Sequence, residues 1–152
     1  MSHLRIDSYL NTYSQLTAAI QNLSEEQLKW KPAPASWSIL EVLTHLVDHS
    51  IVISFRARDV LAATENRLPI FGQDEWVSGQ YANEGKAEDV LSVYNSLLQY
   101  NSLLFARLGE EDWNKSAANF KGDQVSVASI IDGFAAHVQN HLGQISRIKS
   151  QL

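Results

Sequence analysis

Residues 130–148 read IIDGFAAHVQNHLGQISRI, and the centre of that stretch, His137-Val138-Gln139-Asn140-His141, decides how the chain is read. A helix advances about 100° per residue, so histidines four apart stand one above the other on a single face. Ile130, Phe134, Ile145 and Ile148 project within a narrow arc around that pair, which puts two imidazoles in an apolar stripe. Buried polar groups without a hydrogen bond or a metal cost free energy, so the pair needs a partner. A third imidazole stands on another apolar segment, in Thr44-His45-Leu46-Val47-Asp48-His49. The expectation is a helical bundle carrying a three-histidine metal site that is left open for chemistry.

The rest of the chain supplies the bundle. Ile6, Tyr9, Leu10, Tyr13, Leu16 and Ile20 recur at helical spacing over residues 4–22. Ser24, with Gln27 three residues on, predicts a short capped helix that ends at Pro32 and Pro34. Ser38-Ile39-Leu40-Glu41 forms a capping box opening a second long helix, which Ile39, Val42, Leu43, Leu46 and Ile53 carry to about Ala63. Residues 64–85 lose the period and hold Pro69, Gly72, Gly79 and Gly85; Phe71 and Trp76 are expected to fold back on the bundle. So long a connection suggests a crossover rather than a tight hairpin. A third helix spans roughly 87–108 with Val90, Tyr94, Leu98, Asn101 and Phe105 on its face, and Gly109 as its terminating residue. After a short turn at Glu110–Trp113 and a polar loop over 114–125, Ser126 caps the fourth helix.

Composition excludes several functions. With 152 residues the chain is one domain by size and can bury a core unaided. It has no cysteine, which removes disulfides, thiolate zinc sites and a cysteine nucleophile; a metal must take imidazole or oxygen ligands. A net charge of −5 and the lack of a Lys/Arg cluster argue against nucleic-acid binding. No apolar run approaches the ~18 residues of a membrane span, and no signal-like run opens the chain, so the expected setting is cytoplasmic. Apolar residues on outer faces of the first and third helices would suit a dimer surface as well as a core.

Five histidines placed at random give on the order of 0.2 pairs at spacing four. This chain has two, 45/49 and 137/141. Neutral imidazoles suit Zn, Ni or Fe as divalent ions, and three protein ligands leave positions for water or substrate. His49 is open to three roles: fourth ligand, general base, or hydrogen-bonding lining residue. Asp48 is expected to project away from His45 as a solvated charge. Glu41 reads first as the reciprocal cap and second as a support for the His45 ring, Gln144 as a support for His141, and His3 as an exposed terminal residue.

Two groups of residues resemble the DinB/YfiT-like superfamily. Trp30-Lys31-Pro32 followed by Trp37-Ser38-Ile39-x-Glu41-Val42-Leu43-x-His45-Leu46 looks like its first half, and His137-x3-His141-Leu142-x-Gln144-Ile145 like its second. Phe71-Gly72-Gln73-Asp74-Glu75-Trp76 is similar to its crossover loop. The resemblance implies an all-α, four-helix bundle in up-down-down-up order with a long crossover, often as a homodimer. It implies a metal-binding triad, which carries over onto His45, His137 and His141.

Three functions follow for such a chain. One is a divalent-metal-dependent transferase that joins a low-molecular-weight thiol of the bacillithiol type to a small electrophilic substrate, with His49 as proton acceptor. Another is a metal-dependent hydrolase in which activated water attacks an ester or amide. The third is a non-catalytic bundle whose triad is structural or sensing.

Overall fold

The computed structural model describes residues 2–152. Four long helices form the bundle: α1 (Ser2–Ala19), α3 (Ile39–Leu61), α5 (Ala87–Phe105) and α7 (Val127–Lys149). Short helices α2 (Glu25–Lys29), α4 (Gln73–Gly79) and α6 (Glu110–Asn114) lie in the connections. A small antiparallel hairpin, β1 (Ser116–Ala118) with β2 (Gln124–Ser126), precedes α7. Both α1 and α3 pack against α5 and α7, so α1 stands diagonal to α3 and α5 to α7, while α3 and α5 are neighbours. This is the up-down-down-up bundle: residues 20–38 and 106–126 make its diagonal connections, and residues 62–86 are the long crossover between the parallel neighbours α3 and α5.

Three helices begin where side-chain caps begin them. Ser24, Ser38 and Ser126 each accept the backbone N–H three residues on, and Gln27, Glu41 and Ser129 bond back to the cap. α3 then becomes the central element: residues 39–48 are buried without interruption, because α5, α7, α2 and the crossover enclose it on every side. Tyr9, Leu16, Leu43, Leu46, Tyr94, Leu98, Phe105 and Phe134 fill the space between the long helices. Burial of each such side chain contributes roughly 1.5–3 kcal/mol.

Several boundaries differ from the sequence expectation. Asn22 (φ 66°) and Ala63 (φ 60°) enter the left-handed region and end the first two long helices earlier than their apolar period suggests. Gly109 does not terminate α5, which stops at Phe105; its φ is −84° and its N–H donates to Asp112 Oδ2 at 3.1 Å, so it starts α6. On α7 the deepest residues are Ile131, Phe134, Val138 and Ile145, while Ile130 is only partly buried. The histidine pair therefore flanks the core stripe instead of sitting at its centre. The crossover also holds order that its composition hides, since α4 forms within it. The Leu68 N–H donates to the Ala118 carbonyl at 2.9 Å, which ties the crossover to the hairpin. No helix of the described chain is long and apolar enough to cross a membrane.

Candidate metal centre

The interface between α3 and α7 brings together residues 45, 137 and 141. His45 is fully buried, and His137 and His141 are half-buried. The Nε2 atom of His137 lies 3.1 Å from His45 Nε2 and 2.9 Å from His141 Nε2. Imidazoles sharing one ion at about 2.1 Å have nitrogens on the order of 3.0–3.4 Å apart, so the donor set fits a divalent cation. Among the described residues this is the one group of three or more such side chains close enough to share an ion.

The electrostatics agree with that fit. Burial pushes the His45 pKa down to about 3, with His141 and His137 adding to the effect. Burial likewise lowers His137, helped by His141, and lowers His141 against the hydrogen bond it makes to Gln144. All three rings are held neutral, the form that ligates metals. His141 Nδ1–H donates to Gln144 Oε1 at 2.7 Å, which leaves the Nε2 lone pair turned to the centre. His45 is clamped between the Trp37 ring, 4.9 Å away, and the Phe71 ring, stacked at 5.8 Å.

His49 lies beside the triad and outside it. Its ring centroid is 4.8 Å from that of His137, and it packs on Phe71 and Phe134. Burial pushes its pKa down to about 3, aided by His137, His45 and the Arg56 charge. Its Nδ1 is buried with no hydrogen-bond partner. The other sequence candidates sort clearly. Glu41 Oε1 accepts the Ser38 N–H at 3.0 Å and pairs with Lys31 at 3.4 Å, so the cap and not a ligand ring holds it. Asp48 is not a solvated charge: it is 4% exposed and accepts a 2.7 Å bond from Gln80 Nε2. Burial raises its pKa, against that hydrogen bond. The α4 segment and its C-terminal Gln80 cover a helix face that looked free in sequence. His3 is exposed at the far end of α1.

Two cavities of opposite character flank the triad. One, of about 280 Å³, reaches His137 and His49 and is walled by Ile53, Leu68, Ile130 and Phe134. The other, wider and open to solvent at about 560 Å³, reaches His141 and is lined by Ser36, Gln73, Asp74, Gln144 and Arg147. Sequence reasoning overlooked Arg56, which lines the first cavity. Its signal was present: position 56 is eleven residues past His45 and seven past His49, hence on the same helical face.

Comparison with known proteins agrees with this architecture. A family model described as the DinB superfamily matches residues 9–145. The chain is 25% identical over 141 residues to a protein of Oceanobacillus iheyensis named "Putative metal-dependent hydrolase", covering 93% of this chain and 79% of that one. It is 26% identical over 162 residues to the uncharacterized protein YuaE of Bacillus subtilis, covering 96% and 95%. Among solved structures it is similar to YfiT from Bacillus subtilis, described as a probable metal-dependent hydrolase with an unusual four-helix bundle topology. That match has a TM-score of 0.90 at 13% identity, over 99% of this chain and 86% of that one. A mycothiol-dependent maleylpyruvate isomerase matches with a TM-score of 0.76 at 9% identity, over 95% of this chain and 60% of the isomerase. At these identities the structural matches establish the fold alone.

Proposed function

The chain belongs to the DinB superfamily, and from that premise we propose that it is a metal-dependent enzyme joining a low-molecular-weight thiol to a small electrophile. His45, His137 and His141 are the ligands in this reading. A divalent cation bound there supplies Lewis acidity, which makes a thiol or a water beside it more acidic.

The observation that carries the reading is the pair of unlike cavities flanking one histidine cluster. A hydrolase needs one organic substrate and water. A transferase needs two organic partners, and here a polar groove faces His141 while an apolar cavity faces His137. A hydrophilic thiol suits the groove, where Gln144, Ser36 and Arg147 offer hydrogen bonds. An apolar electrophile suits the cavity, whose walls are mostly apolar. The sulfur–carbon bond forms as the bond to the leaving group breaks, the leaving group keeps that electron pair, and the thiol proton passes to solvent through the groove. His49 stays neutral and lines the cavity that takes the acceptor substrate. Its lowered pKa makes it a hydrogen-bonding residue rather than a proton store at neutral pH.

The test is incubation of metal-loaded protein with bacillithiol and other small thiols, together with a chlorinated aromatic electrophile, read by mass spectrometry. Thiol-dependent conjugate that disappears on chelation is expected. Its absence with every thiol overturns the reading. The names borne by the relatives favour a second reading, hydrolysis of an ester or amide. Turnover of an ester panel without thiol, abolished by chelation and by His141→Ala, would select it.

A further inference from the structure

The apolar cavity contains one charged side chain, and nothing in the described chain neutralises it. Arg56 lines that cavity together with Ile53, Leu68 and Phe134. One of its η nitrogens donates to the Pro69 carbonyl at 2.9 Å, which anchors the guanidinium to the crossover. Its buried Nε–H meets no acceptor. Among the described residues no carboxylate lies within 4.0 Å of it, since the ion pairs present are Arg5–Asp132, Lys31–Glu41 and Lys115–Asp112. Burial lowers its pKa, yet a guanidinium stays charged at any pH a cell reaches. A cation half-sunk in apolar walls without a counter-charge costs free energy, and a bound anion would offset that cost.

A second donor lines the same cavity. Asn119 Oδ1 accepts the backbone N–H groups of Lys121 and Asp123 at 2.9 and 3.0 Å. The hairpin turn thus fixes the amide by its oxygen, and the amide nitrogen is the end left without a partner.

We propose that Arg56, with Asn119, recognises a carboxylate on the acceptor substrate, so that the preferred substrate is a small acid with an apolar body. This rests on the reading that the apolar cavity takes the acceptor. A carboxylate matches the supply of donors better than a phosphate does. The cavity offers one guanidinium and one amide, with no second cation for a dianion.

Binding of benzoate, benzamide and inorganic phosphate is measured by calorimetry on zinc-loaded and on metal-free protein. Benzoate is expected to bind both forms, with benzamide and phosphate weaker by about tenfold or more. Arg56→Met should weaken benzoate by a similar factor while zinc stoichiometry and melting temperature stay near wild type. Equal binding of benzoate and benzamide overturns the proposal, as does tighter binding of phosphate, binding of benzoate only when zinc is present, or an unchanged affinity in Arg56→Met. Should that variant not fold, the Arg56 Nε–H resonance of the wild-type protein decides. It must shift with benzoate and stay still with benzamide; any other result counts against the site. These readouts are independent of thiol transfer, so failure of the transfer assay leaves them standing. Loss of benzoate recognition, in turn, leaves transfer to uncharged electrophiles untouched.

Discussion

The Nε2 atoms of His45 and His137 lie 3.1 Å apart although 92 positions separate them along the chain. Two imidazole nitrogens at that distance can share one hydrogen at most, and His141 Nε2 approaches the same His137 atom at 2.9 Å. One proton cannot satisfy three converging lone pairs, whereas one cation can. Chelation should therefore destabilise the protein. At a free metal concentration of about 100 times Kd the native state gains about 2.7 kcal/mol. For a chain of this size that corresponds to a fall in Tm of roughly 5–10 °C when the metal is removed. Differential scanning calorimetry with and without chelator measures it, and His137→Ala should abolish the difference.

The metal-free protein should lose stability in acid. His45 and His49 have folded pKa values near 3, below the ordinary value of 6.5 that applies when the chain is unfolded. Between those two values the unfolded chain binds more protons, so stability rises with pH up to about 6.5 and is lost as pH falls toward 3. Urea midpoints taken at one-unit steps from pH 7 to pH 4 should fall steadily. A flat profile would mean that the rings are not buried as described.

Gln144 should matter to the metal and little to the fold. Its 2.7 Å bond to His141 Nδ1 sets the ring's tautomer and orientation, and the side chain borders the groove that opens to solvent. Loss of such an outer partner typically weakens metal affinity about 10–100-fold. Gln144→Leu, titrated against a competing chelator, should show that loss with the metal-free melting curve nearly unchanged.

Ser38→Ala should cost about 1–2 kcal/mol of stability, toward the upper end of the range for lost caps. Ser38 is buried and also donates to Asn83 Oδ1, while Asn83 Nδ2 donates to the Lys29 carbonyl. The cap thus holds α2, α3 and the crossover together. Ser24→Ala removes an exposed capping box of the same type and should cost less, a contrast that denaturant unfolding of the two variants resolves.

The amino-acid sequence determined the parts of this protein that depend on neighbours along the chain. Apolar residues at helical spacing located α1, α3, α5 and α7, and Ser24, Ser38 and Ser126 located the starts of three helices, because a cap acts over three residues. The 137/141 pair was legible for the same reason, since spacing four puts two rings on one face. What crosses between helices was decided by the tertiary structure. Only the packing of α3 against α7 brings His45 to His137, only the α4 segment buries Asp48 under Gln80, and only the tie from Leu68 to Ala118 brings crossover and hairpin together beside Arg56. Burial, counter-charge and cavity shape are properties of surfaces that meet in space, and local spacing carries no record of which surfaces will meet.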